Sequence, residues 1–452
     1  MKPELLAPAG TYKNMCYAFA YGADAVYAGQ PRYSLRVRNN DFKLENLEKG
    51  IQYAHDLGKQ FFVASNIAPH NSKVKTYMAD MEPVIAMQPD ALIMSDPGLI
   101  MLVQERWPDA TIHLSVQANV VNYAAVKFWH KIGIKRVILS RELSLDEIAE
   151  IKQQCPEMEI EVFVHGALCI AYSGRCLLSG YINHRDPNQG SCTNACRWDY
   201  SAHKAEQNDS GDILPVQPLP IHPVKSNSVG VQFDMPQLGA GATTDQIYLL
   251  QEKGRPGEYM PAFEDEHGTY IMNSKDLRAV QHVQKLLEIG VDSFKIEGRT
   301  KSHYYAARTT QVYRQAIDDA VAGKSFDMQL MDDLEDLAHR GYTEGFYRRH
   351  VHDEYQNYVD GNSKSGKQKF VGEIIGKDVE NNFLLVEVKN HFEKGDVLQL
   401  MTPHGNQEFR LDYMEKFDGT ETDVAPGSSH QVKIPMPAAD VQADFGLLVV
   451  NL

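Results

Sequence analysis

Along the first 300 residues, short runs of consecutive apolar residues alternate with longer stretches whose apolar residues recur every three to four positions. The first pattern suits strands buried on both faces, and the second suits amphipathic helices. The strand-like runs are 4–9, 25–28, 60–66, 91–95, 111–118, 136–140, 159–165 and 293–297, which makes eight. Intervals such as 46–57 and 74–87 have helical spacing. Alternating strand and helix predicts a parallel sheet with helices outside, and eight units predict a closed (β/α)8, TIM-like barrel. An open doubly wound sheet is the alternative.

More than 120 residues separate the seventh run from the eighth. This insertion begins with a cysteine cluster, passes a Pro-, Gly- and Ser-rich stretch at 214–241, and ends in a hairpin-like piece, 259–263 and 269–273. An insertion after a barrel strand emerges at the C-terminal face, where such barrels build their active sites. Beyond the eighth strand come a helical stretch at 304–321, a shorter one near 330–338 and a polar linker at 357–369. From Phe370 the pattern changes to short alternating strands with turn signals: 372–375, 383–389, 396–401, 407–414 and 430–435. The expected organisation is therefore a barrel at 1–325 containing an insertion at 166–290, a helical linker at 326–369, and a small all-β barrel at 370–452.

The 452 residues include 45 basic and 60 acidic side chains, a formal charge of −15. That acidity excludes a generally basic nucleic-acid binder, so RNA contact requires a local patch. No apolar run approaches the roughly 18 residues of a membrane span. The first residues enter a strand directly without a signal peptide, so the expected compartment is the cytoplasm.

Four of the six cysteines, Cys169, Cys176, Cys192 and Cys196, lie within 28 consecutive positions. In a reducing compartment such a cluster suits metal binding. Four thiolates form a soft site for zinc or an iron–sulfur cluster. The spacings fit neither the zinc-ribbon pattern nor the ferredoxin one, so that choice stays open. Cys16, within a helical pattern, reads as a small buried apolar residue.

The stretch from Glu161-Val162-Phe163-Val164-His165-Gly166-Ala167-Leu168-Cys169 through Gly174-Arg175-Cys176-Leu177-Leu178-Ser179 resembles the signature of the collagenase-like peptidase family of unknown catalytic type. Pro3–Gly10, Gly22–Tyr27 and Lys295-Ile296-Glu297-Gly298-Arg299 resemble further blocks of that family, as does the C-terminal β region. The name implies a protease, yet no Gly-x-Ser-x-Gly elbow and no His-Glu-x-x-His motif occurs. His165 near Cys169 keeps a thiol peptidase as one rival, and a zinc-stabilised RNA-binding adaptor is another. The resemblance is strongest to the branch that hydroxylates the wobble uridine of transfer RNA. It implies a product of 5-hydroxyuridine, prephenate as oxygen-independent hydroxyl source, and a [4Fe–4S] cluster. By position its ligands would be Cys169, Cys176, Cys192 and Cys196. Some relatives take one ligand from elsewhere in the chain, and a replacement for Cys196 could come only from Cys16 or Cys155.

Prephenate carries two carboxylates, and Arg is the natural bidentate partner for each. Candidates at strand ends or their loops are Arg32, Arg36, Arg38, Arg141 and Arg299, with Glu297 as a pairing or acid/base group. The polar groups Asn66, Asp96, Gln117, Asn119, Glu142 and His165 are expected at the same face. The stretch 295–314 interleaves Lys295, Arg299, Lys301, Arg308 and Arg314 with Tyr304, Tyr305 and Tyr313, a composition that suits an unstacked base of an anticodon loop. The same tyrosines at helical spacing equally suit packing on the barrel.

Overall fold

The computed structural model describes residues 2–30, 32–34, 41–67, 69–167, 171–172, 175–176, 200–207, 213–215, 247–252, 259–265, 268–271, 276–335, 337, 341–348, 368–428, 430–438 and 441–451. Strands β1 (Glu4–Pro8), β2 (Ala25–Gly29), β3 (Gln60–Ser65), β4 (Ala91–Met94), β5 (Ile112–Leu114), β6 (Arg136–Ile138) and β7 (Glu159–Gly166) pair in parallel in chain order. The eighth barrel strand, Ser293–Ile296, pairs in parallel with both β7 and β1 and closes the ring. The expected (β/α)8 barrel is the observed one. Its strands are short and almost wholly buried, as strands covered by helices on one side and by the barrel interior on the other must be.

Helices α1 (Tyr12–Ala20), α2 (Leu44–Asp56), α3 (Asn71–Ala86), α4 (Pro97–Arg106), α5 (Tyr123–Lys131) and α6 (Leu145–Gln154) follow the first six strands. Their starts are written locally. Thr11 and Asn122 accept the backbone amides of Asn14 and Ala125, and Ser144 with Glu147 forms a reciprocal capping box. The sequence reading runs the fifth strand to residue 118. Instead Ser115 opens a short 3₁₀ turn at Val116–Ala118, and Asn119 takes a left-handed backbone with φ of +53°.

After β7 the chain forms the two-residue strands β8 (Ala171–Tyr172) and β9 (Arg175–Cys176), which pair with each other. It then builds an antiparallel five-stranded sheet from β10 (Tyr200–Gln207), β11 (Ile213–Pro215), β12 (Ile247–Glu252), β13 (Tyr259–Asp265) and β14 (Gly268–Ile271). The expected hairpin is β13–β14. Strand β15 (Asp276–Arg278), absent from the sequence reading, returns to the barrel and pairs antiparallel with the end of β7. Helix α7 (Val283–Ile289) then leads into the eighth barrel strand, β16.

Helix α8 (His303–Val321) packs on α1 and α7 with its inner face and meets the C-terminal unit with its outer face. The short helix α9 (Gln329–Glu335) and strand β17 (Tyr342–Thr343) follow. The C-terminal unit is all-β, as expected. Among the described residues its strands form a seven-stranded antiparallel sheet and a separate two-stranded one, Phe392–Glu393 with Val424–Ala425, rather than one closed ladder. Strand β18 (Gln368–Asp378) lies at the centre of the larger sheet, pairing through its second half with β19 (Phe383–Val388) and through its first with β20 (Leu447–Asn451). Two register shifts in β18 bend the sheet around its own core of Leu384, Val386, Leu398, Leu400, Ile434 and Leu448. Phe370, Met401, Leu447 and Val449 join the barrel's core instead.

Candidate active site

The C-terminal ends of the barrel strands gather charged side chains from distant parts of the chain. Arg141, just beyond β6, donates from Nη2 to Glu297 Oε2 at 3.2 Å and from Nη1 to the carbonyl of Ala167 at 2.7 Å. Its guanidinium lies 3.8 Å from the centroid of the Phe163 ring, a cation–π contact that fixes its plane. Arg299, three residues past β16, donates to Ser34 Oγ at 2.8 Å and sits 5.7 Å from the Tyr27 ring. Glu297 and Arg299 are both 6 % exposed. Among the described residues, this end of the barrel thus carries two guanidinium groups, one of them paired with the Glu297 carboxylate.

Two glycines make the arrangement possible. A Cβ on Gly29 would stand 2.2 Å from Arg299 Nη1 and 2.3 Å from Ser34 Oγ, so only glycine lets Arg299 reach its position. Gly166 has φ of +103°, and a Cβ there would meet the Glu297 carbonyl at 2.3 Å. Around the rim, Asn66 donates to Ser115 Oγ at 3.2 Å. Gln117 sits half-buried in the turn after β5, its backbone amide on the same Ser115 hydroxyl.

Other expected residues lie elsewhere. The ring of His165 packs against Tyr305 and Tyr313 of α8 and against Tyr342, with centroids 5.5–5.8 Å apart. A register shift between Lys295 and Ile296 pairs His165 with Ile296, so it turns away from the barrel interior that Phe163 faces. His165 therefore does not join Arg141, Glu297 and Arg299. Arg32 is half exposed and pairs with Asp80 of α3 at 2.5 Å. Asp96 caps α4, accepting from the Leu99 amide at 2.9 Å. Glu142 accepts from Ser140, and Asn119 donates to the carbonyl of Gln117. Arg36, Arg38, Cys169, Cys192 and Cys196 lie outside the described residues. Cys176 is placed by its backbone only, in β9 opposite Ala171. Cys155 ends α6 and is buried with its thiol on the Tyr123 carbonyl. Because α6 runs away from the mouth, Cys155 belongs to the opposite end of the barrel. Cys16 is carried on the outer helix α1, half-buried rather than fully so.

The expected basic-aromatic RNA surface at 295–314 is absent as a surface. Lys295 lies inside the barrel, Arg308 is 1 % exposed beneath the C-terminal sheet, and Tyr304 stacks on Phe370 with centroids 4.9 Å apart. Arg314 is tied to Asp24 and Asp318 at 2.9 and 3.0 Å. Helical spacing of tyrosines here means packing.

The sequence reading missed Tyr27, Phe163 and Ser34, which carry the two arginines. It also missed the interior charges Glu161 and Arg136. The available signal was positional: Glu161, Lys295 and Glu297 fall on the inward alternation of strands that are otherwise apolar.

A (β/α)8 barrel with an arginine-rich mouth and a long insertion after its seventh strand defines an enzyme-like architecture. The chain matches the model of peptidase family U32 over residues 10–357 and that of the U32 C-terminal domain over 366–446, and it belongs to that family. It is 62 % identical to the tRNA hydroxylation protein P of Escherichia coli strain K12, across all of this chain and 97 % of that one. It is equally 62 % identical to the tRNA hydroxylation protein P of Haemophilus influenzae, across all of this chain and 96 % of that one. More distant is the 23S rRNA 5-hydroxycytidine C2501 synthase of Escherichia coli, 27 % identical over 94 % of this chain and 56 % of that one. Among the described residues no helix is long and apolar enough to cross a membrane.

Proposed function

We propose that this protein hydroxylates the wobble uridine of transfer RNA to 5-hydroxyuridine, without molecular oxygen and with prephenate as the hydroxyl source. The observation that carries this reading is the 62 % identity, over essentially whole chains, to proteins named for tRNA hydroxylation. The mouth supports it chemically. Arg141 and Arg299 bind the two carboxylates of a small dianion, each guanidinium already held in one plane by an aromatic ring. Glu297 orients Arg141 and presents a carboxylate oxygen for proton transfer at the reacting centre. Asn66 and Gln117 offer amide groups to the edge of a uracil, which must leave its stack to enter the barrel.

The RNA backbone meets the barrel face rather than the C-terminal unit. Residues 370–452 hold 14 Asp and Glu against 6 Lys and Arg, a formal −8 that repels phosphate. Loops and helix starts that follow the barrel strands carry Arg32, Lys73, Lys75 and Lys301.

Cys169, Cys176, Cys192 and Cys196 form a donor set suited to a [4Fe–4S] cluster, four soft thiolates on the segment that leaves β7 beside Arg141's acceptor Ala167. Cys155 and Cys16 are engaged away from the mouth, which favours Cys196 as the fourth ligand. When bound, such a cluster supplies one-electron chemistry or activates the substrate. The protein's own residues bind the dianion, exclude water from Glu297 and hold the base.

The test is nucleoside mass spectrometry of transfer RNA from a deletion strain, with and without the restored gene. Loss of 5-hydroxyuridine derivatives and their recovery on complementation is expected. Unchanged levels in the deletion overturn the reading. Purified under anaerobic conditions, the protein is expected to be brown and to hold iron and sulfide; a colourless protein holding one zinc overturns the cluster.

A further inference from the structure

Below the mouth, the barrel interior holds charges where branched apolar layers ordinarily sit. Glu161 is fully buried, and its carboxylate accepts from Lys295 Nζ at 2.8 Å and from Arg136 Nη1 at 3.2 Å. Glu4 takes the other side of Arg136 at 2.6 Å and the Ser293 hydroxyl at 2.8 Å. The Lys295 ammonium lies 4.3 Å from the Tyr27 centroid and 5.5 Å from that of Phe163, whose ring also carries Arg141. Glu297 lies two residues beyond Lys295, just past the end of β16, and its carboxylate accepts from Arg141 at the mouth above. A buried ion pair contributes little to stability compared with well-packed apolar residues of the same volume. Stability therefore does not account for charges at this place, whereas the chemistry directly above them does.

We propose that the Glu161–Lys295 pair is a positioning element for the mouth: Glu161 holds Lys295 beneath Glu297, and the ammonium keeps that carboxylate ionised, so that Arg141 stays docked on it and aimed at the anionic co-substrate. The groups facing Lys295 are Glu161 and Phe163 from β7, Tyr27 from β2, Arg136 from β6, His113 from β5, and Glu297 and Arg299 beyond its own strand. His113 remains neutral, because burial and then Arg136 and Lys295 hold its imidazole well below the usual range. Burial draws the Lys295 proton affinity down, and the Glu161 carboxylate opposes that loss.

The kinetic arm of the test rests on the tRNA-hydroxylation reading; the spectroscopic arm does not. The side-chain carboxyl of Glu297 is titrated by ¹³C NMR in the full chain, its signal assigned by its loss in Glu297→Gln. Lys295→Met is expected to raise the Glu297 midpoint by at least one pH unit, whereas Lys295→Arg, which keeps the positive charge, leaves it close to the wild-type value. That dependence on charge is the signature, since disturbed packing alone would affect both variants alike. Lys295→Met strips Glu161 of a partner, so the double variant Glu161→Gln/Lys295→Met, which leaves no new unpaired charge on this pair, repeats the measurement with a smaller upward shift. The acid limb of the kcat/KM profile for tRNA moves with the midpoint. A Glu297 midpoint unmoved in folded Lys295→Met, or raised equally by Lys295→Arg, overturns the proposal. So does a borohydride-stable adduct between prephenate and Lys295, which would make this lysine a nucleophile. If wild-type protein hydroxylates no tRNA, the functional reading falls, and the NMR titration still decides the role of Lys295.

Discussion

Arg299 and Arg308 stand nine residues apart, and both are buried. Their surroundings differ in kind. Arg299 lies at the barrel mouth beside Ser34 and Tyr27, within the group that contains Arg141 and Glu297. Arg308 lies under the C-terminal sheet, where Nη2 reaches Gln368 and Gln399 at 3.2 and 2.7 Å while Nε and Nη1 meet no acceptor among the described residues. Around it the same residue types that would make an RNA surface make an interface. Tyr304 stacks on Phe370, Tyr21 donates to the carbonyls of Met401 and Phe445, and Glu373 gathers Lys13 at 2.5 Å and Tyr17 at 2.9 Å. Basic and aromatic composition does not itself specify a ligand. What separates the regions is whether another part of the same chain already covers them.

The largest effect is expected at the mouth. Arg141→Met should lower kcat/KM for tRNA hydroxylation by about 10²–10³-fold, the range seen when one preorganised charge-stabilising donor is lost. Circular dichroism should stay unchanged. A variant with full activity would remove Arg141 from the site.

On the flank the same kind of change should act through stability. Tyr304→Ala removes a large ring from the Phe370 stack and should cost about 3 kcal/mol in denaturant unfolding, with activity per folded molecule retained. Loss of activity without loss of stability would mean that the flank takes part in catalysis.

Acid should loosen the flank as well. Burial, then Lys13, push His303 down to about 4, so it is neutral when folded. The unfolded chain protonates this histidine near pH 6.5, binds more protons than the folded one, and gains as pH falls. The stabilisation is fully present above pH 6.5 and is lost as pH drops toward 4, by about 2–3 kcal/mol for a shift of this size. Glu373 acts in the same direction at lower pH. Burial raises its proton affinity, but the hydrogen bonds from Lys13 and Tyr17 help to outweigh that and hold it below the usual range. Its contribution is present above about pH 4.5 and fades as pH falls further. Melting temperatures measured from pH 7.5 to 4.5 should fall, and His303→Gln should flatten the upper part of that fall.

The smallest effect is expected at Arg32. Its pair with Asp80 is half exposed, so Arg32→Ala should change stability by about 0.5 kcal/mol or less. Its effect on kcat/KM should stay far below that of Arg141→Met, and an equal loss would place Arg32 in the mouth.

Local patterning along the chain is enough to establish the alternation of strand and helix, the count of eight, the place of the insertion and the change to β structure near residue 370. Each is a periodic property, and a buried strand or an amphipathic helix imposes its period locally. Arg141 and Glu297 were also legible as candidates, because strand ends at one face of a barrel are topologically fixed. Which candidates meet depends on long-range packing. Residues 141 and 297 are brought together by barrel closure, His165 is turned outward by one register shift, and Asp96 and Arg32 are used by a helix cap and a surface pair. It alone placed α8 beneath the C-terminal sheet. Burial of a helix's second face depends on what another part of the chain brings to it, and no local pattern records that partner.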